Sequence, residues 1–256
     1  MAEVRPYYSE KGLTATFYDL TTAMDPSLAG DIDIYRSLVP PEGSVLELGV
    51  GTGRVAFALA ESGLSVTGID LAPTMLVQAR AKLAAADPRV AARLTFLQGD
   101  MAALNVAGIY DAVICPYFGL AHLPAGTAWR NVFAGVAKRL KLGGLWAFHL
   151  PSAERMAQAP ATPPDRPVFQ APLDASGRQL SIFIHARSAK PGVGRFDQIV
   201  DHVVMGPKGQ VERRARERIS YYAADPAPYA LAAGLVLDRP AIDLGGVGAI
   251  HVFRRD

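Results

Sequence analysis

From Ser44 the chain alternates between two hydrophobic periods. The run Val45-Leu46-Glu47-Leu48 reads as a strand, apolar residues recur at helical spacing from Arg54 to Ser62, and Ser65 to Asp70 reads as a second strand. Gly63 stops the helix between them. Pro73 opens a further helix through Leu83, and strands are predicted over Leu94–Gln98 and Tyr110–Cys115. Trp129 to Leu140 carries apolar residues at 129, 132, 133, 136 and 140, which predicts a one-sided helix. Gly143-Gly144 is expected to separate it from a strand over Leu145–Leu150. Such alternation implies parallel strands joined by right-handed crossovers.

Regularity ends after Leu150. Six prolines fall between 151 and 172, which excludes a continuous helix or central strand there. Three strand-like runs follow without helices between them, about Arg178–Ser188, Arg195–Met205 and Val211–Tyr222, and predict an antiparallel layer. The end of the chain predicts a short helix over Pro228–Ala233 and strands over Leu235–Asp243 and Ala249–Arg254. Ahead of the regular region, Leu28–Leu38 has helical spacing closed by Pro40-Pro41, and the aromatics Tyr7, Tyr8, Phe17 and Tyr18 precede it. Those aromatics would either pack on the domain edge or line a small ligand. Four segments result: an N-terminal helical lid segment at 1–40, a core at 41–150, a proline-rich connection with the antiparallel β insertion at 151–222, and strands at 223–256 that complete the core sheet. The fold class is α/β, a doubly wound, mostly parallel sheet with helices on both faces.

Composition narrows this picture without redirecting it. The 256 residues can bury roughly three quarters of the unfolded surface, enough for one core with a modest insertion. No apolar run approaches the ~18 residues of a membrane span. The N-terminus lacks the apolar centre of a secretory signal and Cys115 is the only cysteine, so a cytoplasmic location is expected. A net charge of +2 announces no polyanionic partner.

The candidate chemistry begins where the first strand meets its helix. Gly49, Gly51 and Gly53 stand at alternate positions, where the backbone must turn sharply and approach a ligand, and the helix behind them offers unpaired N–H groups to an anionic or nucleotide-like group. A dinucleotide fingerprint, G-x-G-x-x-G, would need glycine where Arg54 stands. Asp70 ends the second strand, where its carboxylate can accept the hydroxyls of a ribose or cap the following helix. Arg54 opens the helix and would pair with a ligand carboxylate or serve the surface.

Gly49-x-Gly51-x-Gly53 preceded by Glu47 resembles motif I of the class I S-adenosylmethionine-dependent methyltransferases. Gly68-Ile69-Asp70-Leu71-Ala72-Pro73-Thr74-Met75 is similar to that family's acidic-strand motif, Gly99-Asp100-Met101 to its adenine motif, and Leu140-Lys141-Leu142-Gly143-Gly144 follows in order. The likeness covers residues 45 to 150, with Val50 and Leu142 as departures. It implies a Rossmann-like fold and S-adenosyl-L-methionine as cofactor. Glu47, Gly49, Gly51, Gly53, Arg54, Asp70, Leu71, Met75, Asp100, Met101 and Cys115 would then line the cofactor, with Asp100 on the adenine amine and Leu71 and Met75 flanking the ring. In the family the segment after the fourth strand faces the sulfonium and the acceptor, and here it reads Cys115-Pro116-Tyr117-Phe118-Gly119-Leu120-Ala121-His122. Cysteine replaces the polar residue of the nucleobase methylating enzymes, so the stretch is more similar to small-molecule methyltransferases.

On that resemblance the function expected is in-line methyl transfer to an oxygen or nitrogen of a small molecule. Tyr18, Tyr117, Phe118 and His122 are the substrate-side candidates, and His122 and His149 are the candidate bases. His122 has an equal alternative as a packing or capping residue. No histidines show metal-ligand spacing, so no metal is expected. Arg214, Arg216 and Arg218 share one strand face, either a solvated face or a patch for RNA or DNA. An RNA or DNA methyltransferase and a cofactor-binding module without transfer remain the alternatives, and the β insertion offers a surface for a homodimer.

Overall fold

The computed structural model describes residues 3–158 and 165–256, so Pro160, Pro163 and Pro164 of the proline-rich connection lie outside the described residues. The chain divides into two compact units, one formed by the N-terminal stretch through Asp25 with Glu154–Tyr221, the other by Pro26–Ala153 with Tyr222–Asp256. The expected segment 1–40 is thus divided after Asp25.

The larger unit holds a seven-stranded sheet. Its elements in chain order are α2 (Asp31–Ser37), β2 (Ser44–Leu48), α3 (Arg54–Glu61), β3 (Ser65–Asp70), α4 (Pro73–Ala85), α5 (Pro88–Ala91), β4 (Leu94–Gln98), β5 (Tyr110–Cys115), α6 (Thr127–Ala137), β6 (Leu140–Pro151), α8 (Ala227–Ala232), β11 (Leu235–Leu244) and β12 (Gly248–Arg255). The strand order is β11-β12-β6-β5-β2-β3-β4. The five strands from β6 to β4 run parallel, and β12 and β11 are antiparallel additions. Pro240 falls in β11 at the sheet edge, where a missing N–H costs no central ladder bond.

Helices cover both faces because side chains alternate along each strand. Ala112, Ile114, Ala147, Ile250 and Val252 pack with Tyr35 of α2, Val55 and Leu59 of α3 and Leu76 and Ala79 of α4. The intervening residues Trp146, Phe148 and Phe253 meet Phe133 of α6, with ring centroids 5.5–6.5 Å apart. Trp129, Phe133 and Val136 of α6 are fully buried, as their spacing predicted. Parallel strands with helices on both faces are what the pattern predicted, and the Rossmann-like arrangement is what the family resemblance implied.

One boundary differs. Gly143-Gly144 does not separate helix from strand but lies within β6, which begins at Leu140 opposite Tyr110 and resumes at Leu145 opposite Ala112. The surplus residues form a bulge, with Gly143 at φ +76°. A Cβ on Gly144 would sit 2.9 Å from the Lys141 carbonyl oxygen and 3.0 Å from that of Asp111.

The smaller unit carries a five-stranded sheet, order β1-β10-β9-β8-β7, made of β1 (Val4–Pro6), β7 (Phe169–Pro172), β8 (Gln179–Lys190), β9 (Arg195–Met205) and β10 (Val211–Tyr222). The helices α1 (Thr14–Ala23) and α7 (Ala153–Gln158) fall beside it in sequence. The three expected strands appear as β8, β9 and β10, with β8 and β9 antiparallel. Buried Glu217 of β10 accepts from the Leu13 and Thr14 amides at 3.0 and 3.1 Å, tying down the start of α1. His202 Nδ1 stands 3.3 Å from the same carboxylate, and burial lowers the His202 pKa despite that neighbour.

Candidate functional site

The parallel strands of the larger unit bring Leu48, Asp70, Gln98 and Cys115 to one edge of the sheet, their carboxyl ends. Ligands of open α/β sheets bind outside that edge. After Leu48 the chain turns through Gly49, Gly51 and Gly53, at φ +70°, +58° and +88°, conformations that side-chain-bearing residues rarely adopt. Gly53 is also the N-cap of α3, and a Cβ there would lie 2.9 Å from the Phe57 ring.

Asp70 holds this loop in shape. Its Oδ2 accepts the Gly51 N–H at 2.8 Å and its Oδ1 the Ala72 N–H at 2.8 Å, so one carboxylate spans the glycine turn and the entry to α4. The Leu71 amide also bonds this carboxylate, which leaves part of its roughly four lone-pair sites open. Burial raises the Asp70 pKa, and the amides of Ala72 and Gly51 oppose that rise. The capping and ligand-accepting readings of Asp70 are therefore compatible.

Beneath the loop, Glu47 is 2% exposed, and its Oε2 has no hydrogen-bond partner among the described residues. Burial pushes its carboxyl up to about 8; Arg54 opposes the rise, while Asp31 and Asp70 add to it. Arg54 faces Asp31, the first residue of α2, which is 1% exposed: Nη1 donates to Oδ1 at 2.9 Å and Nη2 to Oδ2 at 2.5 Å. Of the two roles weighed for Arg54, surface service is replaced by this bidentate pair. Asp31 is a residue that sequence reasoning missed. Its one signal was an acidic first turn after Gly30, which does not reveal a partner 23 residues away.

The adenine-side candidates separate. Leu71 is 65% exposed at the tip of the β3–α4 turn, whereas Met75 is buried in the core-facing side of α4. Met75 thus has little surface to offer a ring, because helical spacing turns it inward with Leu76 and Ala79. Asp100 is exposed and its Oδ1 accepts the Ala102 N–H at 2.8 Å, capping the short turn Met101–Ala103. The Met101 methyl lies 3.4 Å from where a Cβ on Gly49 would be. Val50, a departure from the family pattern, packs against Gly68, where a Cβ would fall 2.5 Å from Val50 Cγ2. The glycine of the acidic-strand motif makes room for that valine.

Beyond β5, Cys115 is fully buried under Gly119, whose absent Cβ would stand 2.7 Å from Sγ. Burial, with Glu47 adding, pushes the thiol pKa far up, so it is no nucleophile. Tyr117 and Phe118 both adopt left-handed backbone, φ +44° and +63°, strain of a kind that clusters at functional sites. Their rings stack at 5.5 Å, and Phe118 lies 4.3 Å from the fully buried ring of His149. His122 ends the short turn Gly119–His122 and is half-buried. Tyr18 belongs to α1 of the smaller unit. Among the described residues no group of three or more His, Cys, Asp or Glu is placed to hold a metal.

The arginine row on β10 is partly neutralised. Arg216 donates to Asp201 through Nε at 2.6 Å and Nη2 at 2.7 Å, and on β9 Arg195 pairs with Asp197 at 3.0 Å. No described helix is long and apolar enough to cross a membrane.

Residues 45–144 match the methyltransferase domain family. The putative methyltransferase YqeM of Bacillus subtilis (strain 168) is 34% identical over 121 residues, covering 47% of each chain. The chain spans about half the length of the curated relatives it matches. Among solved structures, the CcbJ methyltransferase of Streptomyces caelestis aligns over 98% of both chains with a TM-score of 0.75 and 23% identity. CalS10 with S-adenosylmethionine bound, an amino pentose methyltransferase of Micromonospora echinaspora, aligns over 93% of this chain and 96% of its own, with a TM-score of 0.63 and 19% identity. Likeness at these identities concerns the fold.

Proposed function

We propose that this chain, whose residues 45–144 match the methyltransferase domain family, is a class I enzyme that transfers the methyl group of S-adenosylmethionine to an oxygen or nitrogen of a small-molecule acceptor. The observation that carries the reading is the Asp70 carboxylate spanning the Gly51 and Ala72 amides beside three left-handed glycines. The residues fit the cofactor. Asp70 keeps acceptor capacity for the ribose hydroxyls, Leu71 presents apolar surface to an adenine ring, and Glu47 Oε2 is a buried acceptor suited to an ammonium. Arg54 would reach a carboxylate only by leaving Asp31.

Bound there, the cofactor supplies an electrophilic methyl group. The chain's part is to hold the acceptor in line, keep water away and accept a proton where one must leave. Tyr117 and Phe118 would form the aromatic wall of the acceptor side, with His149 behind Phe118. For a hydroxyl acceptor His122, half-buried, would serve as the base, whereas an amine arriving uncharged needs no base. Small-molecule chemistry is favoured over nucleic acid because Arg216, in the middle of the arginine row, is already paired with Asp201. A cytoplasmic enzyme, dimeric through the five-stranded sheet, completes the proposal.

The test incubates the protein with S-adenosylmethionine and panels of phenols, hydroxylated metabolites and amines, and measures S-adenosylhomocysteine. Formation with a phenol or an amine supports the reading. Cofactor binding with no turnover across the panels would favour a module that holds the cofactor without transfer.

A further inference from the structure

The charges below the glycine loop do not balance. Glu47 of β2 is faced by Arg54 of α3, by Asp31 and Tyr35 of α2, by Asp70 at the end of β3 and by Cys115 of β5. That set contains three carboxyl groups and one cation. The cation is committed, since both terminal nitrogens of Arg54 donate to Asp31, and withdrawing them would strand a carboxylate that is itself buried. Asp70 has the amides described above. Glu47 has a hydrogen bond from the Ala56 backbone, but its Oε2 is sealed from water with nothing to accept from. A bare carboxylate oxygen in that setting is costly, and a proton removes the cost.

From this arrangement we infer that Glu47 is a neutral acid in the free protein and surrenders its proton to solvent when its carboxyl is uncovered and pairs with a ligand ammonium, so that binding of an amino-acid-bearing nucleoside is a proton-releasing exchange. The inference rests on the reading of the site as an S-adenosylmethionine site. The balance is simple: the neutral Glu47 carboxyl and the ligand's ammonium cation become a carboxylate–ammonium ion pair, and one proton leaves to solvent. Tyr35 and Cys115 do not compete for the role at neutral pH. Burial raises the Tyr35 hydroxyl and the Cys115 thiol far above that range. Burial also holds Glu47 itself near 8, so at pH 7 about nine sites in ten carry the proton.

The experiment is calorimetric titration at pH 7.0 in two buffers of different ionisation enthalpy, with two non-reacting probes. S-adenosylhomocysteine carries the ammonium; 5′-methylthioadenosine keeps the ribose and adenine but lacks it. The expected result is close to one proton released per S-adenosylhomocysteine bound, none per methylthioadenosine, and an affinity for the former that strengthens nearly tenfold from pH 6 to pH 7. Glu47→Gln should bind methylthioadenosine as wild type does, bind S-adenosylhomocysteine more weakly and release no proton. Equal release with both probes would move the proton to Asp70 and overturn the inference. Binding of both probes without release would overturn it while leaving the cofactor reading intact. Binding of neither by folded protein would remove the cofactor reading and the inference with it.

Discussion

Replacing Asp70 by alanine removes two things at once, and the geometry says how much of each. In the free protein the carboxylate accepts two amide hydrogen bonds of 2.8 Å, from Gly51 and Ala72. Bonds to a charged acceptor contribute ~1.5–3 kcal/mol each, and Asp70 is half-buried, so their joint loss should cost about 3 kcal/mol of stability. In the complex the same oxygens would accept two ribose hydroxyls, worth a further ~3–5 kcal/mol, or roughly a hundred- to several-thousand-fold in Kd. The two losses separate by experiment. A circular dichroism melt sets a temperature at which Asp70→Ala is folded, and calorimetry with S-adenosylhomocysteine at that temperature gives the affinity. Asp70→Asn should fall between, because it keeps one acceptor and turns an NH2 donor toward a backbone donor. A folded Asp70→Ala protein that binds within fivefold of wild type would refute the assignment of Asp70 as the ribose acceptor.

Other outcomes follow from the same packing and electrostatics. Glu47 has a folded pKa raised from its ordinary 4.5 to about 8, so ligand-free wild type should lose stability as pH climbs through that window, by up to about 1.4 kcal/mol per unit. Glu47→Gln should lack the decline and exceed wild type by as much as ~4 kcal/mol at pH 8.5 in chemical denaturation; parallel pH profiles would show that Glu47 is not buried as described. Gly68→Ala should cost ~1–3 kcal/mol by crowding Val50, and Val50→Ala in the same chain should restore most of it; additive losses in the double mutant would contradict that contact. Cys115, buried and with its thiol pKa raised, should resist maleimides and aromatic disulfides until the chain unfolds, and stoichiometric labelling of native protein would contradict its placement.

The parts of the fold legible in the sequence are those where local pattern and tertiary demand agree. The β2–α3–β3 unit combines period-two and helical spacing with glycines that need positive φ, and β8 to β10 are bounded by turn residues that no helix or strand interior would tolerate. The bulge in β6 was hidden because a glycine pair reads as punctuation, whereas here it lets a strand absorb extra residues against β5. Pairing of β1 with β10 sets Val4 opposite Arg216, a contact no local pattern encodes. At the site, glycines and strand-end aspartates were readable by position. Their surroundings were not: that Asp31 occupies Arg54, that Met75 turns inward and that Gly68 shelters Val50 are consequences of packing.

The most direct test of the central claim is a crystal structure of the protein grown with S-adenosylhomocysteine. The ribose hydroxyls are expected within hydrogen-bond distance of both Asp70 oxygens, the methionyl chain over the Gly49–Gly53 turn and the ammonium on Glu47. A nucleoside bound elsewhere, or a turn closed over an Asp70 that touches no ligand, would contradict it.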